Sequence, residues 1–230
     1  MTRLRFAPLA LLLVVALTGP TRAAGPPFEL SVHRDRLLGD TDGILVITDQ
    51  GVEFRAANPK KSRHWDFAAV KQFRIVPGAI TVETYEDGEP IVLGRDRTWM
   101  FKVTGQIPPE LVAFLLARVD RPIATAVMPP LPETPLGAAL VKNDRTSRGS
   151  DGTLALYDTG LAYMTPSEGQ ARFWRFRDIF AVLMLDPYRL QVLAYEGGSG
   201  TTRTFTFELK QPLPPGMYDA LWQRVNPVSR

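Results

Sequence analysis

The stretch GILVITDQGVEF, residues 43 to 54, returns 109 residues later as GTLALYDTGLAY, residues 152 to 163. Gly43, Leu45, Asp49 and Gly51 become Gly152, Leu154, Asp158 and Gly160, while the other eight letters change. The hydrophobic character of the apolar positions survives and the polar positions are exchanged. A repeat of this kind constrains the fold more than any other feature, because it requires one structural unit to be built twice.

The match extends in register. Val32, Asp35, Arg36, Trp65 and Phe67 stand 109 positions before Val141, Asp144, Arg145, Trp174 and Phe176. Small shifts of offset then occur: ITVETYE (80 to 86) meets LQVLAYE (190 to 196), and IPPELVAFLLARV meets LPPGMYDALWQRV. Such shifts fall where connecting loops tolerate insertion. The expected organisation is a leader over residues 1–24, a first domain over 25–119, a linker over 120–137 with five prolines, and a second domain over 138–230. A proline-rich linker is semi-rigid, and Val127, Met128 and Leu131 give it apolar groups to set between the domains.

Within each copy the apolar residues alternate, the period of strands with one buried face. Leu45 and Ile47 precede a turn at Asp49 to Gly51, and Val52 and Phe54 resume the alternation. This predicts a hairpin with Gly51 and Gly160 in the left-handed region and with Asp49 and Asp158 bonding the turn backbone. Further strands are predicted at Trp65 and Phe67, Phe73 and Ile75, Ile80 and Val82, and Trp99 to Val103, with counterparts in the second copy. Each copy closes on a proline pair that opens a helix, Pro108–Pro109 or Pro214–Pro215, where a first-turn proline costs no hydrogen bond. Leu111, Leu115 and Val119, and Met217, Leu221 and Val225, form the expected buried stripes. The repeated residues thus serve hairpin and core, and the exchanged ones are expected to face outward.

About seven strands followed by one helix, in both copies, resembles the pleckstrin-homology (PH)-like superfold, including its GRAM-type relatives. The fold class this resemblance implies is mainly β with one C-terminal helix per domain: two tandem partly open β-barrels of near-orthogonal sheets. It also implies a packing role for Trp222, which sits in the last helix where the first copy has Leu116.

The leader itself has Arg3 and Arg5 ahead of an apolar run from Phe6 to Leu17, then Gly19, Pro20 and small residues. The pattern is that of a secretory signal peptide, and the run is shorter than the ~20 residues a spanning helix needs. It predicts an exported, periplasmic or secreted protein, cleaved near Ala23 or Ala24. Lys and Arg number 27 against 24 Asp and Glu, and three of the basic residues, Arg3, Arg5 and Arg22, lie in the leader, so the mature chain carries 24 of each. The high sequence pI of about 9.3 therefore belongs to the targeting segment, and nucleic acid is not an expected partner. With no cysteine there is no disulfide, thiolate nucleophile or zinc–thiolate site.

No catalytic constellation emerges. The two histidines, His33 and His64, neighbour buried Val32 and Trp65 in strand parity, so both are expected to point outward. DTDG (40 to 43) lacks the bidentate Glu of a calcium loop, since its twelfth position is Gly51. GGSG (197 to 200) lacks the Lys and helix of a phosphate loop. No Ser has a G-x-S-x-G setting. No cofactor or metal is expected. The remaining candidates are basic residues able to meet an anionic group: Lys60, Lys61 and Arg63 in the first copy, Arg172 and Arg175 in the second. The expected function is a non-enzymatic binding or scaffolding module with a protein partner in the cell envelope. The alternative is an anionic lipid headgroup held by the basic loops of the first domain.

Overall fold

A computed structural model describes residues 25–34, 40–87, 96–144, 149–197 and 201–227. The expected leader, Arg36, Arg145 and part of GGSG lie outside the described residues.

The first unit comprises β1 (Phe28–Arg34), β2 (Thr41–Ile47), β3 (Gly51–Ala56), β4 (Arg63–Asp66), β5 (Val70–Val76), β6 (Ala79–Asp87), β7 (Asp96–Val103) and α1 (Pro109–Arg118). A short strand, β8 (Ile123–Thr125), follows. The second unit comprises β9 (Gly137–Asp144), β10 (Ser150–Tyr157), β11 (Gly160–Met164), β12 (Arg172–Trp174), β13 (Ile179–Asp186), β14 (Arg189–Ala194), β15 (Arg203–Leu209) and α2 (Met217–Val225). Among the described residues the result is mainly β, with two short helices. The strands form one unclosed 15-stranded sheet in the order β13-β14-β15-β9-β10-β11-β12-β8-β5-β6-β7-β1-β2-β3-β4.

The two halves of that order are the same sequence of elements, β5-β6-β7-β1-β2-β3-β4 and β13-β14-β15-β9-β10-β11-β12, with β8 between them. β8 is parallel to β5 and antiparallel to β12. The proline-rich linker is thus an integral part of the sheet at Ile123–Thr125, and Val127, Met128 and Leu131 pack against the first core.

Alternation places Leu45, Ile47, Val52, Phe54, Trp65, Phe73, Ile75, Ile80, Val82, Trp99 and Phe101 in that core, closed by Leu111 and Leu115 of α1. The second core repeats the pattern with Leu154, Leu156, Leu161, Tyr163, Trp174, Leu190, Val192, Phe205 and Phe207, closed by Met217 and Leu221. Phe67 and Phe176 are not strand residues: each opens a single 3-10 turn, Phe67–Ala69 or Phe176–Asp178, between strands.

The repeated glycines have a different cause from the one expected. Left-handed glycines occur at Gly78, Gly105, Gly169 and Gly216, and neither Gly51 nor Gly160 is among them. A Cβ on Gly51 would lie 2.2 Å from the Trp65 carbonyl oxygen, and one on Gly160 2.2 Å from that of Trp174. Gly43 and Gly152 face Arg55 and Met164 carbonyl oxygens in the same way, at 2.3 Å each. These glycines are kept because the neighbouring strand's backbone fills the space a side chain would need.

The hairpin turns at Asp49 and Asp158 each accept a bond from the closing helix, the first through its backbone and the second through its side chain. Arg118 Nε of α1 donates to the Asp49 carbonyl at 3.1 Å, and Arg224 of α2 donates to the Asp158 carboxylate at 3.1 Å. Each helix is tied back to its own hairpin.

Candidate functional site

Both histidines point outward as expected, each against acids: His33 Nδ1 lies 2.7 Å from Asp42 and His64 Nε2 3.1 Å from Asp66. No group of three or more His, Cys, Asp or Glu able to hold a metal occurs among the described residues.

The five basic candidates divide into two groups that the sheet keeps apart. Lys60 and Lys61 lie on the 3-10 turn Pro59–Lys61, begun by Asn58, whose side chain accepts from the Lys60 N–H at 3.1 Å. Arg63 opens β4, the terminal strand at one end of the sheet. Lys60 and Arg63 are exposed, Lys61 is half-buried with its ammonium on the Thr41 hydroxyl, and none of the three has an ion pair among the described residues. This is a basic surface ridge.

Arg172 and Arg175, by contrast, are buried, and their guanidinium groups are bonded internally. Arg172 donates to Glu196 at 3.0 Å and to the Gly169 and Ala171 carbonyls. Glu196 also accepts the Trp174 indole N–H at 2.6 Å. Arg175 makes a bidentate pair with Asp178, at 2.6 and 2.8 Å, and donates to the carbonyls of Leu116, Val119 and Arg121. Arg177 adds a bond to the Val119 carbonyl and an ion pair with Asp120. Residues Leu116 and Val119 end α1, where carbonyls lack partners within the helix and the dipole favours positive charge. A cluster from the second unit therefore caps the helix of the first.

Burial pushes the Asp178 carboxyl above its ordinary range, against the pull of Arg175 and Arg177. At the same junction Gln72 and Arg74 of β5 donate to the Tyr195 and Glu196 carbonyls, each at 2.8 Å. The outer face of the second unit, Ala155, Tyr157, Ala162 and Phe173, joins the first core. Their counterparts in the first copy are Val46, Thr48, Glu53 and His64. The exchanged residues of the second copy thus face the first unit rather than solvent, and this interface was not foreseen. The replacement of Asp66, Ala68 and Ala69 by Arg175, Arg177 and Asp178 was its signal in the sequence.

Beside the clamp is a cleft of about 310 Å³ lined by Lys71, Tyr85, Arg121, Arg177 and Tyr195 among others. Lys71 is held protonated, its pKa raised by the hydrogen bond to Asp96. That is the opposite of what a nucleophilic lysine needs.

The exposed large apolar groups concentrate elsewhere. Phe180 (56% exposed), Leu183 (45%) and Leu185 (49%) line β13, and Tyr188 follows in its turn. Trp222 is 47% exposed on α2, whereas Leu116 on α1 is buried. The packing role implied for Trp222 is therefore absent: Leu116 lies with Phe173 and Arg175 beside an apolar groove between α1 and the second unit.

No family model and no curated protein matches the sequence. Among solved structures, the chain is similar to one in "Structure of the Spt16D Pob3N heterodimer", at 9% identity and a TM-score of 0.27, over 84% of this chain and 99% of that one.

Proposed function

We propose that the chain is an exported, non-catalytic protein of two PH-like units that serves as a binding or scaffolding module for a protein partner in the cell envelope. Each unit has seven strands in one shared order and a closing helix, which supports the PH-like assignment. The observation that carries the function is the uneven surface. Buried Arg175, paired with Asp178, joins the second unit to the first, while an uncharged apolar strip, Phe180, Leu183, Leu185 and Tyr188, faces solvent on the second. Apolar groups gathered on one exposed element mark an interaction surface.

A photo-crosslinking residue at position 183, in the full chain expressed in its host, tests this. A discrete protein adduct at 183, with none from the same residue at position 53 on the first unit, is expected; equal labelling from both positions contradicts it.

A second function, recognition of an anionic headgroup, is supported by the ridge Lys60, Lys61 and Arg63. Each basic side chain near a charged membrane is worth about 1 kcal/mol, so changing all three to Gln weakens vesicle binding roughly 100-fold if this function holds. Sedimentation with vesicles, with and without anionic lipid at low salt, separates the two: no binding leaves the protein partner alone.

A further inference from the structure

The two units differ in what lies beside one strand. In the first, β8 occupies the edge of β5, with Phe73, Arg74 and Ile75 opposite Ile123, Ala124 and Thr125. The Phe73 N–H donates to the Pro122 carbonyl at 3.2 Å, and the Ile75 carbonyl accepts from the Ala126 N–H at 2.8 Å. In the second unit the equivalent strand is β13, where Val182, Leu183 and Met184 stand 109 positions after those three residues. The register agrees, since Val182 lies opposite Val192 as Phe73 lies opposite Val82. Yet β13 ends the sheet, and its only strand neighbour among the described residues is β14. The same register turns the Val182 N–H and the Met184 carbonyl away from β14.

The two ends of the sheet are also guarded differently. β4 is four residues long and shows charged or polar Arg63, His64 and Asp66 to solvent. Short, charged edges discourage further pairing. β13 has eight residues, of which only Asp186 is charged. Where β5 has Lys71 and Arg74, β13 has Phe180 and Leu183. Bulges at both ends of β13, between Ile179 and Ala181 and between Met184 and Asp186, leave Ala181–Met184 as the regular window. That window contains the equivalents of the three residues β8 uses on β5, and is too short for a long two-fold pairing of β13 with itself.

We propose that the outer edge of β13 takes up an extended segment of a partner protein as an added parallel strand, in the register β8 takes on β5. The inference rests on the protein-binding function and specifies its mode. Main-chain hydrogen bonds supply the attachment and alternate side chains the selectivity. The segment is uncharged and carries small or β-branched residues, as in the chain's own Pro122–Ala126, because Phe180, Leu183 and Leu185 offer it no ionic partner and its own β8 is buried throughout.

The test uses a synthetic peptide with the sequence of residues 122–127, PIATAV, blocked at both ends and titrated to millimolar concentration into isotope-labelled chain lacking residues 1–24. Amide shift changes centred on Ala181–Leu185 and absent from β4 are expected. N-methylation of the peptide alanine matching Ala126 weakens binding by about tenfold, the worth of one hydrogen bond with its steric cost. N-methylation at the threonine matching Thr125, whose N–H faces the other way by strand alternation, leaves binding unchanged. Absence of shifts at β13, shifts at another strand, or equal sensitivity to both methyl groups overturns the proposal. So does a dimer in light scattering with protected β13 amides, which makes a second copy the occupant. Cross-linking at position 183 without peptide binding removes strand addition while leaving the binding module standing.

Discussion

The indole of Trp174 donates to Glu196 at 2.6 Å, and the first unit repeats the relationship between Trp65 and Glu86 at 3.0 Å. The pairs differ in burial: Glu196 sits beneath the surface with Arg172, while Glu86 is partly exposed and also faces Arg97. Glu196→Ala strands a buried guanidinium and is expected to cost about 3–5 kcal/mol. Glu86→Ala is expected to cost about 1 kcal/mol, one partly wet hydrogen bond. Urea unfolding of both variants measures the difference, and equal losses contradict it.

Gly51→Ala and Gly160→Ala each drive a Cβ into a strand carbonyl and are expected to cost about 3 kcal/mol, at the upper end of overpacking. Gly78, with φ of 74° and open space around it, loses only about 1 kcal/mol on mutation to Ala. If the three variants unfold at one midpoint, the steric account of the repeated glycines fails.

Trp99 is replaced by Phe205 at the corresponding position of the second unit, and its buried indole N–H has no acceptor among the described residues. Trp99→Phe removes that orphaned donor together with some apolar area, and the two effects offset each other within about 1 kcal/mol. A loss well above that, measured by thermal unfolding, means the N–H is satisfied in solution.

The sequence was most legible where alternation and repetition agreed. Leu45, Phe73, Val82 and Phe101 declared a buried face in the first copy, and Leu154, Val192 and Phe207 confirmed it in the second. It was least legible at the junction. Arg172 and Arg175 look like surface cations in one dimension, because the local replacement of Asp66, Ala68 and Ala69 by Arg175, Arg177 and Asp178 does not reveal that Glu196 and the end of α1 converge on them. The Pro-rich composition of residues 120–137 similarly concealed β8, whose strand state depends on the edges of β5 and β12 rather than on its own propensity. Glycine at position 51 was legible as necessary, but the reason lies in Trp65 of the adjacent strand.

Asp178 gives the molecule a pH dependence opposite to that of ordinary paired carboxylates. Its raised folded pKa means that its contribution is fully present below the unfolded value of ~3.9 and is lost as pH climbs through the folded value. The stability advantage of the natural chain over Asp178→Asn is therefore expected to shrink as pH rises above the unfolded value of ~3.9, followed by urea midpoints. An advantage that grows with pH shows that the Arg175 pair outweighs burial.

The central claim is that one structural unit occurs twice, with one edge filled and the equivalent edge open among the described residues. Amide hydrogen exchange of the full chain measures it directly at two matched positions. The Phe73 N–H, bonded to Pro122, is expected to exchange at least ~100-fold more slowly than the Val182 N–H, a difference of about 2.7 kcal/mol in opening. Equal protection at Phe73 and Val182 would contradict the account, because it would mean that the edge of β13 is already occupied or that β8 does not hold the edge of β5.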